Sequence, residues 1–250
     1  KKNEFIKIKK EYLEFLKKKK LFLKKNIFFY ENNVEKMKNW TNVDFNKTLN
    51  WYHEIRRSNK AKVSDIHLEK MKKWTYDKKK GVLKHDSGQF FHVIGKRTSN
   101  SNREVKSWDQ PFIKQVGYNG GVIGLVRANI NNIPHYLIDA KFEPGNFNQV
   151  QISPSLQATH SNLDRVHLGS KPKVVKKYFL KNFKTIRKFW VTEDGGRLYL
   201  KKNLHWIIQY NGKLTTPGKT FRWLTLWEID KLIKQGSIVG PHLRAILSLV

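Results

Sequence analysis

The sequence predicts an α+β fold with a mixed or antiparallel sheet flanked by helices. Residues 1–40 combine dense lysine with Phe, Leu, Ile and Tyr at spacings of three and four, which is typical of amphipathic helices. The middle of the chain contains apolar stretches separated by turn residues, which is typical of strands. A helical period returns in residues 223–237, so helices at both ends enclose a strand-rich middle.

Two regions follow from this pattern. Residues 1–42 form a predicted basic, amphipathic helical extension of one helix or a helix pair, and residues 43–250 form a predicted single module. The apolar stripe of the extension either docks on the module or lies on an anionic membrane surface. We favour docking, because that is the usual fate of an amphipathic helix beside a folded domain.

The module is predicted to begin with two helices. FNKTLNWYHEIRRSN (45–59) keeps a helical period, and DIHLEKMKKW (65–74) follows with Asp65 placed to cap it.

Strands are predicted after Gly81, where the period of the apolar residues changes. They are QFFHVIGKRT (89–98), REVKSWDQPFI (103–113), GGVIGLVRANI (120–130), HYLIDAKFE (135–143) and QVQIS (149–153). The third and fourth of these flank the turn NNIP, so they predict a β-hairpin.

The remainder of the chain alternates between the two periods. KVVKKYFLKNF (173–183) predicts a helix, and residues 189–213 predict a second hairpin. WLTLWEIDKLIKQGS (223–237) predicts an amphipathic helix that ends at Gly236, and PHLRAILSLV closes the chain.

The net charge of +30, from 50 Lys and Arg against 20 Asp and Glu, favours an anionic partner. Nucleic acid, an anionic membrane surface and phosphorylated small molecules all fit, and so does a lysine-rich composition without function. No zinc finger, RRM or KH motif is present, so we expect no nucleic-acid partner. No apolar run reaches the ~20 residues of a membrane helix, so we expect no stable membrane anchor.

Several chemical classes are excluded by motif. The chain has no cysteine, which excludes disulfides, thiolate zinc sites and cysteine nucleophiles and suits a reducing cytoplasm. Its nine histidines form no HxH or HExxH pattern, and the common nucleotide-binding loops are absent, so we expect no metal and no cofactor. No signal peptide is visible, but the chain does not begin with Met, and a removed leader stays an alternative.

Polar stretches beside the predicted strands combine Gly or Pro with charged or amide side chains. They are HDSGQFF (85–91), REVKSWDQP (103–111), AKFEPGN (140–146), PSLQATHSN (154–162), RVHLG (165–169) and EDGGRLY (193–199). Each alone is typical of a turn, but six of them at strand ends indicate a ligand-binding pocket.

These stretches resemble the NDP-hexose 2,3-dehydratase family of deoxysugar biosynthesis, in order and in spacing. The resemblance runs from about Asp44 to Val250. It rests on LKHDSGQFFHVIG, REVKSWDQP, HYLIDAKFEPGN, QISPSLQATHSN, RVHLG, TEDGGRLYLKKN and FRWLTLWEIDKLI.

The resemblance implies a Nudix-like α+β fold and a lyase that acts on a dTDP-4-keto-6-deoxyhexose without metal or organic cofactor. The chain has no recognisable Nudix hydrolase box, so pyrophosphate hydrolysis is not implied. Members of the family usually carry two tandem modules, whereas this chain has one that mixes motifs of both. We therefore expect a homodimer, and a truncated two-module protein is the alternative.

The implied reaction sets its own chemical requirements. A keto group at C4 acidifies the hydrogen on C3, and elimination then expels the hydroxyl on C2. The site must supply a base at C3, stabilisation for the enolate at O4 and a proton for the departing hydroxyl. The product enol tautomerises to a 3,4-diketo-2,6-dideoxy sugar.

Glu143 is the first candidate for the base. It ends an apolar strand, Pro144-Gly145 restrain its backbone, and Lys141 lies on the same strand face. Alternatively it pairs with a lysine or caps the turn, and Glu104, His135 and Asp194 are rival bases. His135 is also the candidate proton donor, although a histidine at a strand start is often simply packed.

Candidates for substrate binding come from the same motifs. Arg103, Arg165 and Arg197 suit the diphosphate because guanidinium groups bind phosphate in bidentate geometry, and surface ion pairing is the alternative. Trp108 suits a wall for base or sugar, or core packing. Polar contacts to sugar or thymine are expected from Gln110, Lys141, Asn146, Gln157, Thr159, Ser161 and Asn162, some of which will instead cap backbone.

Two other functions stay open at this point. The chain is alternatively a non-catalytic sugar-nucleotide-binding module, or a basic protein that binds nucleic acid or a membrane surface. If the chain is a dehydratase, we favour a role in the biosynthesis of a surface polysaccharide over one in a secondary metabolite.

Overall fold

A computed structural model describes residues 1–117, 120–159, 163 and 172–248. The α+β class with a mixed sheet flanked by helices is confirmed. The described α-helices are α1 (Lys2–Lys18), α2 (Ile27–Met37), α3 (Phe45–Ser58), α4 (Lys173–Tyr178), α5 (Leu226–Ile233) and α6 (Pro241–Leu247).

The described strands fall into a small and a large sheet. They are β1 (Trp74–Asp77), β2 (Val82–His85), β3 (Phe91–Thr98), β4 (Trp108–Gln115), β5 (Gly121–Ile130), β6 (Ile133–Phe142), β7 (Val150–Pro154), β8 (Leu156–Thr159), β9 (Phe183–Thr192), β10 (Lys202–Tyr210) and β11 (Phe221–Leu224).

The large sheet has the order β11-β6-β5-β10-β9 and is mixed. Strand β10 runs parallel to β5, and the other described pairs are antiparallel. Strands β5 and β6 form the predicted hairpin, with Ile130 opposite Ile133. Its loop is Asn131-Asn132, both at positive φ, which asparagine tolerates and a two-residue hairpin loop requires.

The hairpin opens into a fork away from its turn. Strands β5 and β6 pair over residues 126–137, and beyond that point β8 pairs with β5 while β7 pairs with β6. Ser155 bridges the two arms, because its hydroxyl accepts from the Val126 amide at 2.9 Å and donates to the Leu137 carbonyl. The open end of the fork therefore collects the start of β5 and the ends of β6 and β8.

Strands β1 to β4 form the small antiparallel sheet. Its last strand is joined to the connection between β9 and β10, since the Ile113 amide donates to Arg197 and the Tyr199 amide donates to Ile113, both at 2.9 Å. This junction holds the small sheet against the edge where the fork opens, and brings Phe91 of β3 to that edge.

Apolar clusters cover both faces of the large sheet. Consecutive strand residues belong to different clusters. Leu125 and Ile138 belong to the cluster under α3, α5 and α6, whereas Val126 and Leu137 belong to the cluster under α4. This division follows the two-residue period of a strand that is buried on both faces.

Part of the N-terminal region is built into the fold. Helix α2 contributes Phe28 to the cluster under α3, α5 and α6, and a third cluster joins Phe5, Val34 and Trp40 to Ile133 at the hairpin. The apolar face of this region therefore docks on the module. Within the described ranges, no helix combines the length and the apolar character that crossing a bilayer requires.

The prediction of a helix over 65–74 is wrong. This stretch contains only a short 3-10 turn, Leu68–Lys70, and Trp74 begins β1. No residue of the turn is buried, and a short helix without a buried face has little to stabilise it in water.

Other boundaries also differ from the predictions. The helix predicted over 173–183 ends at Tyr178, and Phe183 already begins β9. The helix predicted over 223–237 is α5, which starts after β11 at the N-cap Thr225 and ends at Ile233. The four-residue strands β1, β2, β8 and β11 were not predicted, because segments this short show too little alternation.

Candidate active site

A cavity of about 250 Å³ lies at the open end of the fork. Strands from both sheets and the start of α6 contribute to it. Its lining residues are Phe91, Gly121, Ile123, Lys141, Glu143, Gln157, Ala158, Thr159, Lys201, Asn203 and His242.

One wall of the cavity carries the ion pair between Lys141 and Glu143. The two residues lie on the same face of β6 and its extension, and their Nζ and Oε1 atoms are 2.6 Å apart. The turn after the strand is closed by hydrogen bonds, since the Glu143 amide donates to the Gln149 carbonyl at 2.9 Å and the Asn146 amide donates to the Glu143 carbonyl at 3.1 Å. The backbone of Glu143 is thereby held in place.

A second group of charged and polar side chains surrounds Glu193. Its Oε1 accepts from Nδ2 of Asn203, lies 3.8 Å from Nζ of Lys201 and lies 3.7 Å from Nδ1 of His242. Three of the four residues line the cavity, and Glu193 joins them from the end of β9. Glu143 in the cavity wall and Glu193 next to the cavity therefore have different cationic partners.

Glycines set the close approach of β10 to β5 at this point. Oδ1 of Asn203 accepts from the Gly121 amide at 2.8 Å. A Cβ atom at Gly120 would lie 1.8 Å from the carbonyl oxygen of Lys202, and Gly120 has a φ of 150°. A side chain at residue 120 would push away the start of β10, which carries Asn203 and follows directly on Lys201.

Burial lowers the pKa of His242, and the nearby charges act in both directions. The carboxylates of Glu193 and Glu143 partly offset this lowering, whereas Lys201 and Lys141 add to it. Burial also lowers the pKa of Lys201, and Glu193 opposes that effect. Neutral forms of both groups are therefore easier to reach than in water.

The structure brings four of the predicted site residues together, namely Lys141, Glu143, Gln157 and Thr159. Glu193, Lys201, Asn203 and His242 were not predicted as site residues from the sequence. The first three lie in the motif TEDGGRLYLKKN, of which only Arg197 was predicted as a ligand, for the diphosphate. No local pattern marked His242.

A second cavity of about 290 Å³ contains Arg103, Trp108 and Gln110, together with Glu104 and Val105. The Trp108 Nε1 donates to Oε1 of Gln110 at 2.6 Å, and Nε2 of Gln110 donates to the Gly196 carbonyl at 2.7 Å. This second group lies on β4 and the loop before it, outside the lining of the first cavity.

Arg103 and two further predicted residues, Arg197 and Asn146, take part in local interactions. Arg103 pairs with Glu104 at 3.1 Å, and Arg197 pairs with Asp194 at 2.7 Å, with 82% of the Arg197 side chain exposed. Asn146 belongs to the turn after β6, where its Nδ2 lies 3.5 Å from the Gln149 carbonyl oxygen. These are the surface pairing and turn contacts that the sequence left open as alternatives.

The structure does not bring His135 to Glu143. The two residues are eight positions apart along β6 and its extension, which corresponds to about 26 Å in an extended strand. Nδ1 of His135 lies 2.8 Å from the Ile133 carbonyl oxygen, and burial lowers the pKa of the imidazole. One chain therefore cannot use both residues on one sugar ring. Ser161, Asn162 and Arg165 lie outside the described residues.

In the part of the chain that the structure describes, no three His, Cys, Asp or Glu side chains lie close enough to hold a metal ion.

The profile of the NDP-hexose 2,3-dehydratase family matches residues 45–250. Three curated relatives bear the name dTDP-4-dehydro-6-deoxy-alpha-D-glucopyranose 2,3-dehydratase. The protein from Saccharopolyspora spinosa is 32% identical over 202 residues, which are 80% of this chain and 41% of the relative. Those from Streptomyces violaceoruber and Amycolatopsis orientalis are 29% and 31% identical, over 79% of this chain and 44% and 43% of their own lengths. The chain thus spans less than half the length of these relatives.

Two solved structures show a weak similarity of fold. The Ap4A hydrolase of C. elegans gives a TM-score of 0.30 at 9% identity, over 53% of this chain and 95% of its own. RenU, a Nudix hydrolase of M. smegmatis, gives 0.33 at 12% identity, over 54% and 91%. At these scores the similarity supports no conclusion about chemistry.

Proposed function

The chain belongs to the NDP-hexose 2,3-dehydratase family, and we propose that it removes water across C2 and C3 of a dTDP-4-keto-6-deoxyhexose. The observation on which this proposal rests is the cavity at the fork, where the Lys141–Glu143 pair and His242 line one space. The names of the three relatives, which specify a dTDP-4-dehydro-6-deoxyglucose substrate for those proteins, support the choice of sugar.

The proposed reaction is an elimination in two steps. The base removes the proton from C3, the C–H electron pair forms a C3=C4 bond, and the carbonyl pair moves to O4. The O4 pair then returns to re-form the carbonyl, C2=C3 forms, and the C2–O bond breaks as the leaving hydroxide takes a proton and departs as water. The carbonyl of the substrate is the electron sink, so the reaction as written needs no cofactor.

Glu143 is the proposed base. Its carboxylate ends β6 at the cavity, its backbone is held by the turn, and the Lys141 ammonium at 2.6 Å orients one of its oxygens. A fixed carboxylate within reach of the substrate is what general base catalysis requires.

His242 is the proposed proton donor to the leaving hydroxyl, in the role that the sequence analysis assigned to His135. It lines the same cavity as Glu143, and Glu193 lies 3.7 Å from its Nδ1. Burial lowers the pKa of His242, which makes its imidazolium a stronger acid, and the carboxylate beside Nδ1 partly offsets this lowering and leaves the other nitrogen for the substrate.

The remaining substrate contacts are divided between the two cavities. Gln157 and Thr159 on β8 are proposed to bind the sugar. Arg103, Trp108 and Gln110 of the second cavity, with Arg197 near it, are proposed to bind the nucleotide. Ser161, Asn162 and Arg165 follow β8 in the chain and stay proposed ligands on sequence alone.

Three further statements belong to the same proposal. Residues 43–250 act as one module with residues 1–42 as a basic extension, two copies of the chain form a homodimer, and the enzyme works in the cytoplasm on a precursor of a surface polysaccharide. The high positive charge suits an anionic sugar nucleotide, and the absence of cysteine suits a reducing compartment.

Replacement of the proposed base tests the function directly. We expect Glu143→Gln to lower the turnover of dTDP-4-keto-6-deoxyglucose by about 100-fold or more, because the amide cannot accept the C3 proton. Mass spectrometry for loss of water measures turnover, and calorimetry with dTDP should give an unchanged affinity.

Glu69→Gln is the matched control, since Glu69 is an exposed glutamate of the 3-10 turn Leu68–Lys70 and lines neither cavity. We expect it to keep full turnover. Ordinary turnover by Glu143→Gln would mean that another group is the base. Binding of dTDP by the wild-type chain without any loss of water would favour the alternative of a non-catalytic module or of half of a larger enzyme.

A further inference from the structure

Lys201, the residue directly before β10, has a buried amino group that lines the cavity. Its side chain is 11% exposed, and burial lowers its pKa. The closest described carboxylate oxygen belongs to Glu193 at 3.8 Å, which is an ion pair without a hydrogen bond. Burial removes water from the charged ammonium, and no hydrogen bond from a described carboxylate replaces that water.

The position of Lys201 is nevertheless well defined. Its carbonyl accepts from the Glu193 amide at 3.0 Å, and the next buried residue, Asn203, binds both Glu193 and the Gly121 amide. The ring of Phe91 lies on another side, with its centre 5.9 Å from the Lys201 nitrogen. The backbone at Lys201 is therefore fixed, and among the residues that the structure describes only Glu193 forms an ion pair with its amino group.

We propose that Lys201 receives the negative charge that develops on O4 of the substrate. This role rests on the proposed dehydration, and adds to it the group that stabilises the enolate. As Glu143 takes the C3 proton, its own charge is neutralised and an equal charge appears on O4. The net charge of the cavity stays constant while the negative charge moves from the β6 wall to the Lys201 wall.

Charge also argues against the diphosphate as the partner of Lys201. The cavity already contains the carboxylate of Glu143, which Lys141 neutralises, and the carboxylate of Glu193 lies 3.8 Å from the Lys201 amino group. A diphosphate would place two more negative charges against these carboxylates before any reaction. The enolate appears only when Glu143 becomes neutral, so this anion is compatible with the charges that are present.

The variant Lys201→Met keeps a similar length and removes the amino group. We expect turnover to fall by about 100-fold or more, as for other losses of a preorganised oxyanion partner. Exchange of the C3 hydrogen in deuterated water should slow by the same factor, since exchange passes through the enolate. The affinity for dTDP should stay unchanged, and the unfolding temperature should not fall.

Lys202→Met is the matched control. Lys202 is the next residue along the chain, it is exposed, and its nitrogen lies over the Trp190 ring at 5.1 Å instead of lining the cavity. We expect this variant to keep full turnover and full C3 exchange.

The absence of cysteine from the chain permits a chemical rescue. In Lys201→Cys, treatment with 2-bromoethylamine would rebuild an amine of nearly the same length at position 201, because no other thiol is present. We expect the treated variant to regain turnover and C3 exchange, and the untreated variant to stay inactive.

Three outcomes would overturn the role of Lys201. The first is that Lys201→Met retains turnover and C3 exchange. The second is that Lys201→Met loses dTDP affinity as steeply as turnover, which would make the lysine a phosphate ligand. The third is that Lys201→Cys, folded and treated with 2-bromoethylamine, does not regain C3 exchange. If the wild-type chain neither exchanges the C3 hydrogen nor loses water, the dehydration itself is wrong, and the role of Lys201 falls with it.

Discussion

At the scale of single residues, the last three alternate positions on the face of β6 that ends at Glu143 carry ionisable side chains. Lys141 lies between Glu143 and Asp139, and its ammonium pairs with Glu143 at 2.6 Å. Asp139 is more deeply placed, and its Oδ1 is buried without a hydrogen-bond partner among the residues that the structure describes. Two carboxyl groups on one strand therefore meet different environments, which the two-residue period alone does not predict.

Burial raises the pKa of Asp139 to about 6, although a hydrogen bond from Thr220 and the charge of Lys141 act in the opposite direction. The folded chain thus binds this proton more tightly than the unfolded chain does. The stabilisation from the protonated form is complete below the ordinary pKa of an aspartate, and is lost as the pH rises to about 6.

We expect Asp139→Asn to unfold at a higher temperature than the wild type at pH 7.5. The carboxylate of the wild type costs up to about 3 kcal/mol there, and the amide does not carry this charge. At pH 4 the two proteins should unfold at nearly the same temperature, because Asp139 is then protonated. Thermal denaturation followed by circular dichroism across this pH range measures the difference.

Asp65→Asn provides the control, since Asp65 is exposed. We expect no pH-dependent difference from the wild type for this variant. If Asp139→Asn lowers the unfolding temperature at pH 7.5 as well as at pH 4, the buried carboxylate is not the source of the cost.

At the scale of elements, helix α2 is attached to the large sheet by a buried ionic network. Oε1 of Glu35 lies 2.8 Å from Nη2 of Arg127 on β5, and its Oε2 accepts from the Tyr136 hydroxyl of β6 at 2.8 Å. The other end of the guanidinium donates to Gln209 of β10 at 2.6 Å. Helix α2, which the sequence predicts as part of an extension, therefore supplies the carboxylate that neutralises Arg127 in the large sheet.

Glu35→Gln is expected to lower the free energy of unfolding by up to about 3–5 kcal/mol, because the buried Arg127 then keeps only the longer ion pair to Glu31, at 3.8 Å. Chemical denaturation measures this change. Glu11→Gln, on the exposed side of α1, should leave stability within experimental error.

The paired variant Glu35→Leu with Arg127→Met removes both charges. It should recover much of the stability that Glu35→Gln loses, since an apolar pair of similar size tolerates burial. A single variant as stable as the wild type would show that α2 is held by its apolar contacts alone.

Regular elements were predicted where their pattern was long. The hairpin of β5 and β6 and the helix α3 follow directly from their periods. The stretch 65–74 had a helical period but no surface to pack on, and the four-residue strands are defined only by their neighbours in the sheet.

At the scale of the whole molecule, the proposed homodimer must form between two chains of net charge +30. Repulsion between like charges opposes association, and salt screens it over about 10 Å at 0.1 M ionic strength. We expect light scattering after size exclusion to show a dimer whose share rises with salt concentration. A monomer at high salt that retains full turnover would contradict the homodimer.

The sequence by itself determined the family and the α+β class, and it placed Lys141 and Glu143 on one strand face, because each depends on local period or on an ordered set of motifs. It favoured the docking of the amphipathic N-terminal region without deciding it. Only the tertiary structure decided which distant residues share a cavity. His242 reaches Glu143 and Lys201 through the packing of α6 and β10 around the fork, whereas His135 lies at the far end of the same strand. Contacts between residues about a hundred positions apart follow from how sheets and helices pack, and no period along the chain encodes them.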